Sequence, residues 1–197
     1  MRSRTLPSGA YRRHIASAPP IEVAARWRAA CNSLAGFAEA TQAHGSLLQS
    51  WVLGAVVREY EHYPSDDVID VARGSQFYYH AHRGESGEHG HVHLFWHATA
   101  SGQRRYARGG AQRWVHSAPT HLLAIGLDAR GLPLTLFTVN RSVSGGRVFD
   151  AATTVAMLQR FRIQPQGEHA ASARWLNGFV RMYEPLMAEL LAARDAA

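Results

Sequence analysis

The segments QFYYHAHR at residues 76–83 and GHVHLFWH at residues 90–97 decide how this chain is read. Both lack the 3.6-residue period of a helix and alternate instead with the period of two expected of a strand. In the first, Phe77, Tyr79 and Ala81 point one way and Tyr78, His80 and His82 the other. In the second, Val92, Leu94 and Trp96 oppose His91, His93, Phe95 and His97. The polar linker Gly84–His89 joins them, so the pair reads as an antiparallel hairpin with one apolar face and one histidine face. A register that sets His82 across from His91 and His80 across from His93 aligns both apolar sets. It also gathers four imidazoles into a two-by-two patch. A slip of one residue would turn the second histidine set into the apolar face, and burial forbids that.

Working outward, Pro19-Pro20 precedes Ile21–His44, where Val23, Trp27, Ala30, Cys31, Leu34 and Phe37 recur at helical spacing. Leu47–Tyr60 repeats that pattern until Pro64, and Ser65, Asp66 and Asp67 suggest a capped helical turn or two ended by Gly74. Beyond the hairpin, an Arg- and Gly-rich connection over 102–110 leads to a short strand near Gln112–His116. Strands at His121–Leu127 and Leu132–Asn140 flank the turn Asp128-Ala129-Arg130-Gly131. Asp150 caps a helix to Phe161, and Ser172–Arg194 forms the last helical stretch, interrupted or kinked at Pro185. Helices, a meander of about five antiparallel strands, then helices describe an α+β fold with N-terminal and C-terminal helices flanking the sheet. With 197 residues the expectation is one domain over 1–197, its first 19 residues a flexible segment.

Composition narrows the function. Hydrophobic residues are 46% and charged residues 18% of the chain, as in an ordinary globular protein. The charge of +6 comes from 21 basic residues that are all Arg. Without Lys, Schiff-base chemistry and the P-loop lysine are excluded. The arginines are scattered and no nucleic-acid-binding signature accompanies them, so no nucleic-acid partner is expected. No apolar run reaches the roughly 20 residues of a membrane span, and no secretory signal opens the chain. A cytoplasmic location without membrane association follows as the expectation, and a homo-oligomer is compatible with it. Cys31 stands alone within the apolar positions of the first helix and reads as a small buried hydrophobe.

Twelve histidines are present, and eight of them (His80, His82, His89, His91, His93, His97, His116 and His121) fall between residues 80 and 121. Opposed side chains on paired strands have Cβ atoms about 4.5–5.5 Å apart, which lets imidazoles from both strands converge on one ion. We therefore assign His80, His82, His91 and His93 as metal ligands, with His89, His97, His116 and His121 as secondary candidates. His14, His44, His62 and His169 read as unrelated. An all-nitrogen set suits a transition metal ion, Fe(II) foremost, with Zn or Cu as alternatives. Glu88 beside the patch would complete a His-and-acid set, serve as a base, or orient a ligand histidine. Tyr78 on the histidine face would act with it in catalysis. Asn140 and Arg141, ending an apolar strand, would bind the anionic part of a small-molecule substrate. The expected function is a metal-dependent enzyme, a non-haem iron oxidoreductase first. A zinc hydrolase or lyase, and a non-catalytic metal-binding, haem-binding, sensing or interaction protein, are the alternatives.

The strings EHYP, QFYYHAHR, EHGHVHLFW, THLLAIGLD and LPLTLFTVNR together resemble an uncharacterised bacterial family, a domain of unknown function, over roughly residues 58–160. That resemblance implies a shared histidine site and no particular activity.

Overall fold

The computed structural model describes residues 3–6, 9–81, 87–97, 104–108, 111–115, 119–139 and 147–196, with backbone alone over 104–108 and 111–115. The strands are β1 (Ser3–Thr5), β2 (Tyr63–Asp70), β3 (Ser75–Ala81), β4 (Gly90–Trp96), β5 (Arg104–Arg108), β6 (Ala111–Val115), β7 (Thr120–Leu127) and β8 (Pro133–Phe137). The helices are α1 (Gly9–Ser17), α2 (Pro20–His44), α3 (Gln49–Val52), α4 (Ala151–Arg160) and α5 (Ala170–Asp195). Six strands form one antiparallel sheet in the order β1-β8-β7-β4-β3-β2, and β5 pairs with β6 in a separate two-stranded sheet. The fold is α+β, as the alternation of periods requires. No helix among the described residues is long and apolar enough to cross a membrane.

The apolar face of the hairpin meets the helices as its pattern demands. Phe77, Tyr79, Val92 and Leu94 are wholly buried. Trp51 of α3 joins them to α5: its ring lies 5.6 Å from Tyr79, 5.9 Å from Phe77 and 5.9 Å from Trp175. Burying an aromatic or aliphatic side chain of this size contributes about 1.5–3 kcal/mol, so this cluster anchors the helical layer on the sheet. At the other end, Asp150 starts α4 by accepting a hydrogen bond from the Thr153 backbone N–H. α5 runs through Pro185 without interruption.

Four expectations are corrected. First, α2 turns Ser33, Gly36 and Ala40 inward and leaves Trp27, Leu34 and Cys31 exposed. The reason is close helix packing: a Cβ at Gly36 would overlap Trp175 N and lie 2.7 Å from Ala171 O, and one at Gly178 would lie 2.6 Å from Ser33 N. Only small residues allow α2 and α5 to approach so closely, and the larger apolar side chains are therefore on the outside. Second, Leu47–Tyr60 is helical only over Gln49–Val52, because Leu53 and Gly54 take positive φ values of 51° and 77°. Third, Ser65–Asp67 caps no helix. The segment belongs to β2, where pairing of Val68 with Phe77 outweighs the local capping preference. Fourth, the N-terminal segment contributes both an edge strand and α1, and the strand near residue 112 lies outside the main sheet.

Candidate metal centre

The hairpin pairs His80 with His91 and Tyr78 with His93, two residues away from the expected register. A two-residue slip preserves which side chain faces which way, so alternation alone cannot distinguish the two. The ends of the hairpin do: the His97 backbone N–H donates to Gly74 O at 2.7 Å, which sets Ser75 opposite Trp96. Gly90, opposite Ala81, carries no Cβ where one would lie 2.6 Å from the Tyr79 hydroxyl. The histidine face survives the change of register.

His80, His91 and His93 each bring one ring nitrogen within 4.8 Å of the others, a group able to hold a metal ion. His80 Nε2 and His91 Nε2 are 2.6 Å apart. Two nitrogens bound to one ion at about 2.0–2.1 Å in a tetrahedral arrangement stand roughly 3.3 Å apart, a small opening from what is seen. The other nitrogen of His91, Nδ1, donates to Glu88 Oε1 at 2.9 Å, which fixes the tautomer that leaves Nε2 with its lone pair. Glu88 Oε2 in turn accepts from the Thr135 hydroxyl at 3.2 Å. Glu88 thus meets the cluster through His91.

His93 is similarly supported. Its Nδ1 lies 2.8 Å from His121 Nε2, so a proton on Nδ1 would leave Nε2 for an ion. Both rings are buried. Desolvation, followed by the charges of His121, His91 and the other rings nearby, holds His93 well below the ordinary histidine range. Desolvation first and then His91 push His121 down to about 3. Neutral imidazoles with available lone pairs are the forms a metal requires. Aromatic rings wall the group: Phe137 stands edge-on to His91 at 4.9 Å, Tyr78 lies 5.1 Å from His93, and Phe95 lies 5.2 Å from His121.

The remaining sequence candidates divide. His89 turns to the opposite face, its Nδ1 2.6 Å from the Tyr79 hydroxyl. His97 is buried on the histidine side but bonds Gln76 Oε1 at 2.5 Å instead of approaching the three rings. His82, His116, Asn140 and Arg141 lie outside the described residues.

One neighbour escaped the sequence reading. His62 stacks on Tyr78 with ring centroids 3.4 Å apart and lies 6.4 Å from His80. Its Nδ1 bonds the buried Asp67 at 2.8 Å, and Asp67 also accepts from Gln76 Nε2 at 2.7 Å. A chain His62–Asp67–Gln76–His97 therefore runs beside the three-histidine group. Asp67 enters it from a positive φ of 53° at the irregularity in β2. The only signal for it is β2 itself: once residues 63–70 are a strand beside β3, His62 must lie near Tyr78.

Comparison with known proteins adds a family. No curated protein and no solved structure matches the chain. Residues 27–197, which include every described member of the histidine group, all of α5 and α2 from Trp27 onward, match the model described as Domain of unknown function (DUF6969). The three-histidine hairpin thus belongs to a chain that is a member of the DUF6969 family.

Proposed function

We propose that this protein is a metal-dependent enzyme acting on a small molecule, with His80, His91 and His93 as the protein ligands. The observation that supports it is the convergence of three imidazole nitrogens whose outward nitrogens, in His91 and His93, are engaged by Glu88 and His121. Burying neutral, lone-pair-bearing histidines against one another costs desolvation that a merely solvated strand face would avoid. Three ligands leave coordination positions open, and an ion there supplies Lewis-acid or electron-transfer chemistry.

The chain's own residues would do the rest. Glu88 holds the His91 ring in one tautomer, and Tyr78, Phe95 and Phe137 keep bulk water from the rings. The Tyr78 hydroxyl, on the histidine face, is the group proposed to hydrogen-bond substrate. An all-nitrogen set with open positions suits Fe(II), and aromatic walls that limit competing hydrolysis suit an oxidoreductase. The second reading, a zinc hydrolase or lyase, draws on the ligand charges: all three are neutral, which leaves the ion's charge undiminished for activating water.

Elemental analysis of untagged protein beside a His91→Ala variant tests both. Near-stoichiometric iron that is lost in the variant supports the oxidoreductase, and zinc lost in the same way supports the second reading. Absence of any metal after anaerobic reconstitution with Fe(II) and with Zn(II) would refute both.

A further inference from the structure

On the helical side, a cleft of about 900 Å³ opens between α2, α5 and the loop 161–165. Five of its lining residues are arginines, Arg26, Arg28, Arg162, Arg174 and Arg181, against the two carboxylates Glu22 and Glu184. Three of the arginines are answered. Arg26 pairs with Glu22 at 2.9 Å, Arg174 with Glu39 at 3.5 Å, and Arg181 with Glu184 at 3.8 Å. Arg28 and Arg162 pair with no carboxylate among the described residues.

The loop that carries Arg162 is held in place by its backbone. Asn177 clamps the loop by bonding Ile163 N and Ile163 O at 3.0 and 2.8 Å, and the Arg162 N–H donates to Ser75 Oγ at 3.0 Å. Gln164 N–H donates to Asp70 Oδ2 at 3.1 Å. Arg181 bonds the carbonyls of Gln159 and Phe161, and its Nε is buried without an acceptor. Burial, and next the charge of Arg162, hold the Arg181 guanidinium below its ordinary value. Arg162 lies close enough for its charge to act on Arg181, and an excess of like charge around one cleft is relieved by an anion. Guanidinium forks match phosphate oxygens in pairs, and the volume falls in the range of about 300–1,000 Å³ typical of small-molecule sites.

We infer that this cleft binds a phosphorylated small molecule of nucleotide size, with Arg28 and Arg162 as its main contacts. The site is separate from the histidine cluster and stands whether or not that cluster holds a metal.

The test is calorimetric titration of metal-free full-length protein with pyrophosphate, and in a second arm with citrate. The proteins compared are wild type, the double variant Arg28→Gln/Arg162→Gln, and the control Arg12→Gln/Arg13→Gln, which removes the same charge from α1. Expected is one pyrophosphate per chain, weakened about tenfold or more in the cleft variant and unchanged in the control. Unaltered thermal unfolding of the exposed double variant would assign that loss to the site. Three results would overturn the inference. They are no pyrophosphate binding, equal loss in the control, or citrate bound as tightly as pyrophosphate. A single-stranded RNA oligomer bound more tightly than pyrophosphate, and released by the same double substitution, would also overturn it in favour of a nucleic-acid surface.

Discussion

Gly126→Ala should weaken metal binding without changing a ligand. Gly126 on β7 lies opposite His91 on one side and Thr135 on the other. A Cβ there would overlap Glu88 Oε2 and Thr135 Oγ1 and lie 2.8 Å from the Glu88 carboxyl carbon. Ordinary carbon contacts are about 3.5–4.0 Å, so the carboxylate must retreat by roughly 1 Å. That displacement breaks the 2.9 Å bond from His91 Nδ1 and frees the ring to turn and to change tautomer. Loss of such an orienting partner typically costs 10–100-fold in metal affinity, or about 1.4–2.8 kcal/mol. A chromophoric chelator competing for Zn(II) measures this directly in wild type, Gly126→Ala, Glu88→Ala and the double variant. The double variant carries the decisive number. If Gly126 acts by making room for Glu88, the alanine at 126 should have almost no further effect once Glu88 is gone. Affinity within twofold of wild type in Gly126→Ala, or additive losses in the double variant, would refute the reasoning.

Three further outcomes follow from the same structure. His80→Ala and His93→Ala should each lower metal content, whereas His169→Ala should not, because His169 bonds Ser50 O on the helical side; equal content by elemental analysis in all three would remove the hairpin from the argument. Metal-free protein should lose stability as pH falls: His121 is depressed to about 3, so the native state resists a proton that the unfolded chain takes up near 6.5. That contribution is fully present above about pH 6.5 and declines toward pH 3; between pH 7 and 5 it amounts to about 2 kcal/mol from His121, with His93 acting in the same direction. Urea unfolding at the two pH values, with His121→Gln for comparison, should show the slope and its reduction. Gly36→Ala would gain about 1 kcal/mol of helix propensity on an isolated helix, yet the new methyl meets the α5 backbone, and overpacking of about 1–3 kcal/mol should prevail; a raised melting temperature would contradict the close packing of α2 on α5.

How much could be read beforehand depended on whether a pattern was local. Alternation in 76–83 and 90–97 requires one apolar and one histidine face, because successive side chains on a strand point in opposite directions whatever surrounds them. The main helices were legible for a similar reason, with Asp150 capping and the period of 3.6. Long-range competition was not legible. Alternation determines a hairpin only to within two residues, and closure at Gly74 and His97 decided that His80 faces His91. The apolar stripe at Trp27 and Leu34 was a true period on the wrong side, since the backbone approach of Gly36 to Trp175 determines which face of α2 turns inward. Ser65, Asp66 and Asp67 had the local signature of a helix cap, but pairing with β3 drew them into a strand and carried His62 beside Tyr78. From its sequence alone this chain has its fold class and the presence of a histidine-bearing sheet face, for these need only periodicity and covalent geometry. Which of the described histidines meet, which partners fix their tautomers, and where arginines without a carboxylate among the described residues gather were decided by tertiary structure, because each depends on register and on helix approach between residues far apart in the chain.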